Sequence, residues 1–508
     1  MNGRKDDFRD NTEYKTREIK RNRNELYRQL INKTLKDLSD KDILVFPKYT
    51  GKRDGSDNDA SLSPDKESKI IETINKSHRH IPSNDKFETN EKTNEDNEEY
   101  ARFGNIIGFV GYKSEQLIIR SRFSYGNDDY FLHYMLQKIL NINLVSLDIS
   151  HSYQEQIHQL LMYFFPSLLN KALRKGIFRQ YRRYRYNDIN IKGSIDVARH
   201  IKENTPFLGR VAYSTREFTK DNYLIQLIRH TIEHIRTSSR SGWALLNSTD
   251  ETRQNVNAVE LATLSYSMGD RRRIIIENKK TSARHTYYTE YRELQHLCLM
   301  ILDYKKHDLK GDKDMHGILF DVSWLWEEYL YTLLREFDFV HPSNRDEHKT
   351  DWVSIYRAED SRLVCPDYYI ENYIVADAKY KRLDKKYLER EDLYQLIAYS
   401  YIMGLGESES AVIIHPGGEY NSEDAITVQD TNDDGEKPKA ELVREGILNG
   451  YGSTMYRISL RIPQYKIEDK RNKTGESWFK LFVEDMEKVE SEFNEHISNL
   501  LEKSRYIS

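Results

Sequence analysis

The stretch CPDYYIENYIVADAKYKRL, residues 365–383, decides how the C-terminal part of the chain is read. It holds two strand-like runs, Tyr368 to Ile370 and Tyr373 to Ala378, parted by Glu371 and Asn372 or a slightly longer turn, and it predicts a hairpin. Side chains alternate along a strand, so Asp377 and Lys379 point to one face. If the turn has three residues, Glu371 to Tyr373, then Ile370 pairs with Ile374 and Asp367 falls opposite Asp377. A two-residue turn shifts the pairing by one and sends Asp367 to the other face unless a bulge restores it.

Two carboxylates beside an ammonium suit phosphodiester hydrolysis. Adjacent carboxylates bind a hard divalent cation such as Mg2+ and leave positions for water and phosphate. The cation lowers the pKa of a bound water, while Lys379 positions or activates that water and neutralises charge developing on phosphorus. Asp-x-Lys by itself carries little weight in a chain with 31% charged residues. Its neighbours add to it: Pro366 precedes Asp367, apolar strand residues flank both acids, and the helix that follows sets Gln395 and Tyr399 one turn apart on one face. Together Pro366, Asp367, Asp377, Lys379, Gln395 and Tyr399 resemble the PD-(D/E)xK nuclease superfamily, whose hairpin carries the acids and whose next helix can carry a Gln-xxx-Tyr pair. The resemblance implies a mixed sheet flanked by helices over 311–508, Mg2+ held by Asp367 and Asp377, and a supporting role for Gln395 and Tyr399. That superfamily often draws a further acid from its first helix. Here VSWLWEEYLYTLL, residues 322–334, offers Glu327 and Glu328, of which Glu327 is taken as the catalytic candidate.

A length of 508 residues predicts several domains, roughly two to four. Residues 1–49 read as a charged N-terminal arm, with a helix over 14–38 whose thin apolar stripe is Leu26, Leu30, Ile31 and Leu35, then a strand-like Ile43 to Phe46. Residues 50–99 have almost no apolar periodicity and read as a flexible linker or insertion. FGNIIGFVGY (103–112) and EQLIIRSRF (115–123) predict a hairpin that opens a small β-containing module over 100–150. Residues 151–310 read as a mostly helical middle domain, with helical periodicity from Ile157 to a break at Gly176, from Asp221 through Ile235, and over 284–303. Within it, Arg271 to Arg273 followed by Ile274 to Ile276 reads as an edge strand with charged flanks. The fold class is therefore multidomain α/β.

Two phrases of the middle region, KGIFRQYRRYRYNDINIKGSIDVARHI (175–201) and TREFTKDNYLIQLIRHTI (215–232), extend the resemblance. With the hairpin they look like the McrC-type subunit family of modification-dependent and related restriction systems, including LlaJI-like and BsuMI-like multi-subunit systems, over roughly residues 100 to 420. The marks are Gly176 and Tyr181 after a long helix, Gly193, Ile195 and Asp196, then Asp221 and Asn222 opening a helix. The resemblance implies a separate AAA+ GTPase subunit as partner. Consistent with a separate motor, the chain has no GxxxxGK[ST] phosphate loop, and no HExxH, Cys/His cluster or G-x-S-x-G elbow offers competing chemistry. Read without any family, the basic run holds Arg179, Arg182, Arg183 and Arg185 interleaved with Tyr181, Tyr184 and Tyr186, a pattern able to meet DNA phosphates and bases. It serves equally to dock an acidic subunit, or as a solvated strand.

The function expected is that of an Mg2+-dependent, type II-like restriction endodeoxyribonuclease subunit, cutting foreign double-stranded DNA in phage defence with an AAA+ GTPase partner and further restriction subunits. Two alternatives stand beside it: a non-catalytic assembly subunit that binds DNA or regulates an NTPase, and a DNA-repair nuclease. A net charge of −4 decides little, since a nuclease binds through one local field. No run approaches the ~20 apolar residues of a membrane helix, and the first residues show no apolar signal core, so no membrane contact and a cytoplasmic location are expected. Cys298 and Cys365 stand alone, without disulfide or zinc spacing.

Overall fold

The computed structural model of the chain describes residues 8–39, 43–47, 69–74, 99–113, 115–124, 129–140, 153–238, 240–280, 287–307, 315–342, 351–355, 363–383, 388–406, 408–417, 440–449, 452–464 and 475–505. The chain divides into two units, one made of Met1–Asn141, Asp148–Ser150 and Gly311–Ser508, the other of Ile142–Leu147 and His151–Lys310. Both α-helices and β-sheets are present, and the chain is mixed α/β.

In the second unit the helix Tyr153–Leu173 stops where Gly176 takes φ +87°, a left-handed cap that glycine adopts without steric cost. Helix Tyr223–Ser238 opens at Asn222, whose side-chain oxygen accepts from the backbone N–H groups of Leu224 (3.1 Å) and Ile225 (3.2 Å), satisfying donors a helix start leaves free. Its stripe Leu224, Leu227, Ile228, Ile232 and Ile235 is buried. Strands Gln180–Asp188, Val211–Thr219 and Ser194–Ile195 form a three-stranded antiparallel sheet with Val211–Thr219 in the centre. The segment read as a charged edge strand is instead helix Arg271–Lys280. Three consecutive isoleucines favour a strand, but Ile274, Ile275 and Asn278 share one buried helical face. There Asn278 donates to the Tyr223 carbonyl (2.8 Å) and accepts from Gln295 (2.8 Å), so tertiary partners override propensity.

The first unit holds a five-stranded sheet in the order Phe8–Arg9, Glu115–Arg120, Ile106–Tyr112, Met315–Asp321, Ile43–Phe46. Its hairpin pairs Tyr112 with Glu115 and Gly108 with Ile119, as the two apolar phrases predict. The N-terminal region corrects the reading as an arm, because both Phe8–Arg9 and Ile43–Phe46 are strands of this sheet. The single helix expected over 14–38 is three short ones, Thr16–Lys20, Asn24–Leu30 and Leu35–Ser39. Asn22 (φ +59°) and Asn32 (φ +55°) turn the chain between them, a conformation asparagine tolerates better than most residues. Leu26, Leu30 and Leu35 of the expected stripe are buried in the core. In the stretch read as a linker, Ile71–Ile74 is a strand beside Tyr100–Phe103, which Glu13–Lys15 flanks on its other edge. The rest of that stretch, apart from residues 69, 70 and 99, lies outside the described residues.

Strand Met315–Asp321 is the hinge of the architecture, since it belongs to this first sheet yet runs directly into helix Val322–Leu334. Asp321 caps that helix by accepting from Ser323 N (3.0 Å) and Trp324 N (3.4 Å). Two glycines set the approach of its strand to Ile106–Tyr112. A Cβ on Gly317 (φ +153°) would lie 2.2 Å from the Phe109 carbonyl oxygen, and one on Gly108 (φ +134°) 2.1 Å from that of Ile318. A second five-stranded sheet follows in the order Tyr368–Ile370, Ile374–Ala378, Ser410–Gly417, Thr454–Arg461, Ala440–Ile447. Ile374–Ala378 and Ser410–Gly417 are parallel, as the helix Arg390–Ile402 between them permits. None of the described helices is long and apolar enough to cross a membrane.

Two expectations follow. Gly317→Ala should cost about 3 kcal/mol or abolish folding, read by thermal unfolding, because backbone rather than a movable side chain blocks the new methyl. Asp10, fully buried, has its carboxyl raised from 3.8 to about 6 by burial, which outweighs the opposing charge of Arg122. Its folded state therefore holds the proton more tightly than the unfolded one. The associated stability, about 3 kcal/mol, is present below pH 3.8 and lost as pH rises through 6. Between pH 4 and 7 the thermal midpoint of Asp10→Asn should rise relative to wild type.

Candidate active site

The hairpin turns through Glu371, Asn372 and Tyr373, with Asn372 at φ +63° and Ile370 paired with Ile374. The three-residue alternative therefore holds. Tyr368 pairs with Ala376, and one step further along the ladder Asp367 stands across from Asp377. Asp367 is fixed by the strand opposite, its Oδ2 accepting the Ala378 N–H at 2.7 Å. Asp377 is fully buried, and its Oδ2 lies 2.8 Å from the Lys379 ammonium.

Lys379 also donates to Gln395 Oε1 (2.9 Å), Gln395 Nε2 donates to the Tyr399 hydroxyl (3.0 Å), and Tyr399 donates to the Cys365 carbonyl (3.2 Å). The Gln395 amide is oriented by having a donor on one side and an acceptor on the other. This chain of bonds runs from Asp377 through the helix and returns to the strand two residues before Asp367, tying both acids to Arg390–Ile402. Val375, on the same face as Asp377, packs with Leu396, Tyr399 and Ile413 beneath it. Burial lowers the pKa of Lys379, but the carboxylates of Asp377 and Asp367 outweigh it and hold the ammonium well above its ordinary value. Burial and then the charge of Asp367 raise the Tyr399 phenol.

Glu327 sits differently. Tyr368 shares the face of Ala376, opposite to Asp377, and its hydroxyl donates to the Glu327 backbone carbonyl. Helix Val322–Leu334 thus meets the hairpin from the other side. The buried Tyr368 phenol is pushed up by desolvation and then by the charges of Glu327, Asp367, Glu328 and Asp377. Among the described residues, no three His, Cys, Asp or Glu side chains gather into a group able to hold a metal ion. Asp367 and Asp377 alone still fit a magnesium ion by the chemistry of their donors, since that ion takes one or two carboxylates and completes its shell with water and phosphate.

His341 is a site residue the sequence reading did not single out. Its Nδ1–H donates to the Asp367 carbonyl (2.6 Å), Nε2 lies 3.9 Å from Glu328, and its ring packs on Tyr368 and Tyr331. Burial lowers its pKa, yet Glu328 and the Asp367 carbonyl raise it overall. No spacing in the sequence marks it, because it lies 26 residues from Asp367 in a segment with no motif.

The four arginines of the second unit do not share one surface. Arg179, Arg183 and Arg185 are exposed, and Arg183 donates to Ser214 Oγ (3.0 and 2.9 Å). Arg182 lies on the opposite face of the strand, donating to the Asp221 carbonyl (3.2 Å) and resting over the rings of Tyr223 and Tyr184.

Residues 101–416 match the family described as McrBC 5-methylcytosine restriction system component. The chain belongs to that family, and it is a component of an McrBC-type restriction system. No curated protein matches it. Among solved structures it is similar, at 14% identity and a TM-score of 0.40, to a chain of the refined half-complex from a tetradecameric assembly of Thermococcus gammatolerans McrB AAA+ hexamers with bound McrC, over 94% of this chain and 99% of that one. It is also similar to a chain of the Thermococcus gammatolerans McrBC complex, at 14% identity and a TM-score of 0.27, over 65% of this chain and 87% of that one.

Removing Lys379 should expose what it does for Asp377. Lys379→Met leaves a fully buried carboxylate without its ammonium, at a cost of about 3 kcal/mol. The loss should appear as a lower thermal midpoint than that of wild type in parallel melts.

Proposed function

We propose that this chain is the nuclease subunit of its restriction system, hydrolysing phosphodiester bonds of double-stranded DNA at the hairpin of Asp367, Asp377 and Lys379 with Mg2+. The observation that carries the reading is the three-residue turn, which brings Asp367 and Asp377 to one face with Lys379 beside them. The strand, hairpin, crossover helix and parallel strand around them support assignment to the PD-(D/E)xK fold.

Asp367 and Asp377 would hold the metal, which when bound supplies an activated water and a counter-charge to the phosphate. Asp367 is kept in place by the Ala378 amide, so it cannot swing away as the substrate arrives. Lys379 has committed two of its three ammonium protons, to Asp377 and Gln395. The third is available to a phosphate oxygen or to the attacking water, where a fixed positive charge stabilises the charge that develops in the transition state. Gln395 and Tyr399 keep that ammonium from following the substrate. Glu327 is a further candidate, as a ligand or an acid that orients one, on a helix tied to the hairpin by the Tyr368 hydroxyl at the Glu327 backbone carbonyl. Membership of an McrBC system supports methylated DNA as substrate and an AAA+ GTPase as partner, in line with the absence of a phosphate loop from the sequence.

Purified protein should cut methylated plasmid only with Mg2+ and the AAA+ partner, and Asp377→Ala should lose cutting by about a thousandfold or more while still assembling with that partner. Equal cutting by wild type and Asp377→Ala removes the hairpin from the mechanism. No cutting by either, with function in cells intact in the variant, leaves the chain as an assembly subunit.

A further inference from the structure

Tyr380, the residue immediately after Lys379, leaves the hairpin and enters the first unit's other sheet region. It is almost fully buried, its hydroxyl 2.6 Å from Ser121 Oγ and its ring against Phe123 (4.9 Å) and Trp326 (6.4 Å). Arg122 closes over it. One guanidinium nitrogen donates to the Tyr380 backbone carbonyl and to Asn105 Oδ1 (3.0 Å), and the group rests 4.9 Å from the centre of the Tyr380 ring. The Arg122 Nε lies 3.3 Å from Asp10 Oδ2, and Asp10 also accepts the Arg122 backbone N–H. Arg382, two residues beyond Tyr380, donates back to the Arg122 carbonyl (2.6 Å).

A buried Asp–Arg pair is a poor device for stability alone, because the desolvation of both charges consumes most of their attraction. Here the planar fork does something an apolar pair could not. It joins the carbonyl of Tyr380, the residue after Lys379, to Asp10 and Asn105, which adjoin two strands of the first sheet. Lys379 is then pinned on both sides. Its own N–H donates to the Ile414 carbonyl (2.9 Å), and the carbonyl of the next residue, Tyr380, is held by Arg122. The ammonium therefore approaches Asp377 from a backbone tied at Lys379 and again at Tyr380.

We propose that Arg122 is a positioning residue for Lys379, through which the N-terminal sheet sets the geometry of the cleavage site. The inference rests on the nuclease reading of Lys379. Arg122 touches neither substrate nor metal, and its effect is on the rate of the bond-breaking step and not on DNA affinity. Lysine at this position keeps the charge facing Asp10 but loses the fork, so it does not substitute.

The test is single-turnover cleavage of methylated duplex by the assembled system, with DNA affinity and thermal midpoint measured on the same preparations. Arg122→Lys should cleave about tenfold or more slowly at unchanged DNA affinity, with Asp10→Asn several-fold slow at pH 8 while retaining its fold. Lys379→Met is the control for the underlying reading and should be inactive. If Lys379→Met cleaves normally, the nuclease reading fails. If Lys379→Met is inactive but a folded Arg122→Lys cleaves at the wild-type rate, the positioning role alone is overturned. Should Arg122→Lys not fold, a wild-type rate in Asp10→Asn overturns it, as does a rate loss in either variant that is matched by weaker DNA binding.

Discussion

A carboxylate with no exposure to water either takes a proton or finds an opposite charge, and for Asp377 that charge is Lys379, two residues along the chain. Most of the C-terminal architecture can be understood as the means of keeping that pair together. The strand must be extended for the two side chains to share a face, the helix Arg390–Ile402 must supply Gln395 to share the ammonium, and Tyr399 must close the circuit at Cys365. A cluster of this kind would be an expensive way to stabilise a core, since well-packed apolar residues serve as well or better. Two acids and a lysine on one face suit the proposed phosphodiester chemistry better than they suit a core.

The first sheet gives the second feature of the protein. Strand Met315–Asp321 is shared between that sheet and the helix above the hairpin, and Tyr380 and Arg122 form a second connection on the far side of Lys379. Trp326 closes the frame by pointing its indole N–H at the Ile414 carbonyl, the acceptor that also takes the Lys379 amide. The first sheet is therefore built into the framework of the candidate site.

The legible part of the site was local. Hairpin, same-face geometry and the Gln395–Tyr399 pair depend on spacings of two, four and about ten residues, and spacing is what a sequence displays. Even there the turn length had to stay open, because nothing but the conformation of Asn372 decides between two and three residues. What stayed hidden was made by distant partners. Phe8–Arg9 is a strand of two residues with no periodicity to detect, His341 is recruited by a backbone carbonyl, and Arg122 is paired across more than a hundred residues with Asp10. The helix Arg271–Lys280 was misread for the related reason that Asn278 and Gln295, far apart in sequence, outweigh the β-preference of three isoleucines.

The most direct test of the central claim is strand cleavage by Asp377→Asn, an isosteric change that keeps the pocket filled and removes only the charge. With DNA saturating and the partner present, the account predicts that binding is retained while the cleavage rate falls by about three orders of magnitude or more. Cleavage at the wild-type rate would contradict it, and the chemistry would have to be sought elsewhere in the restriction complex.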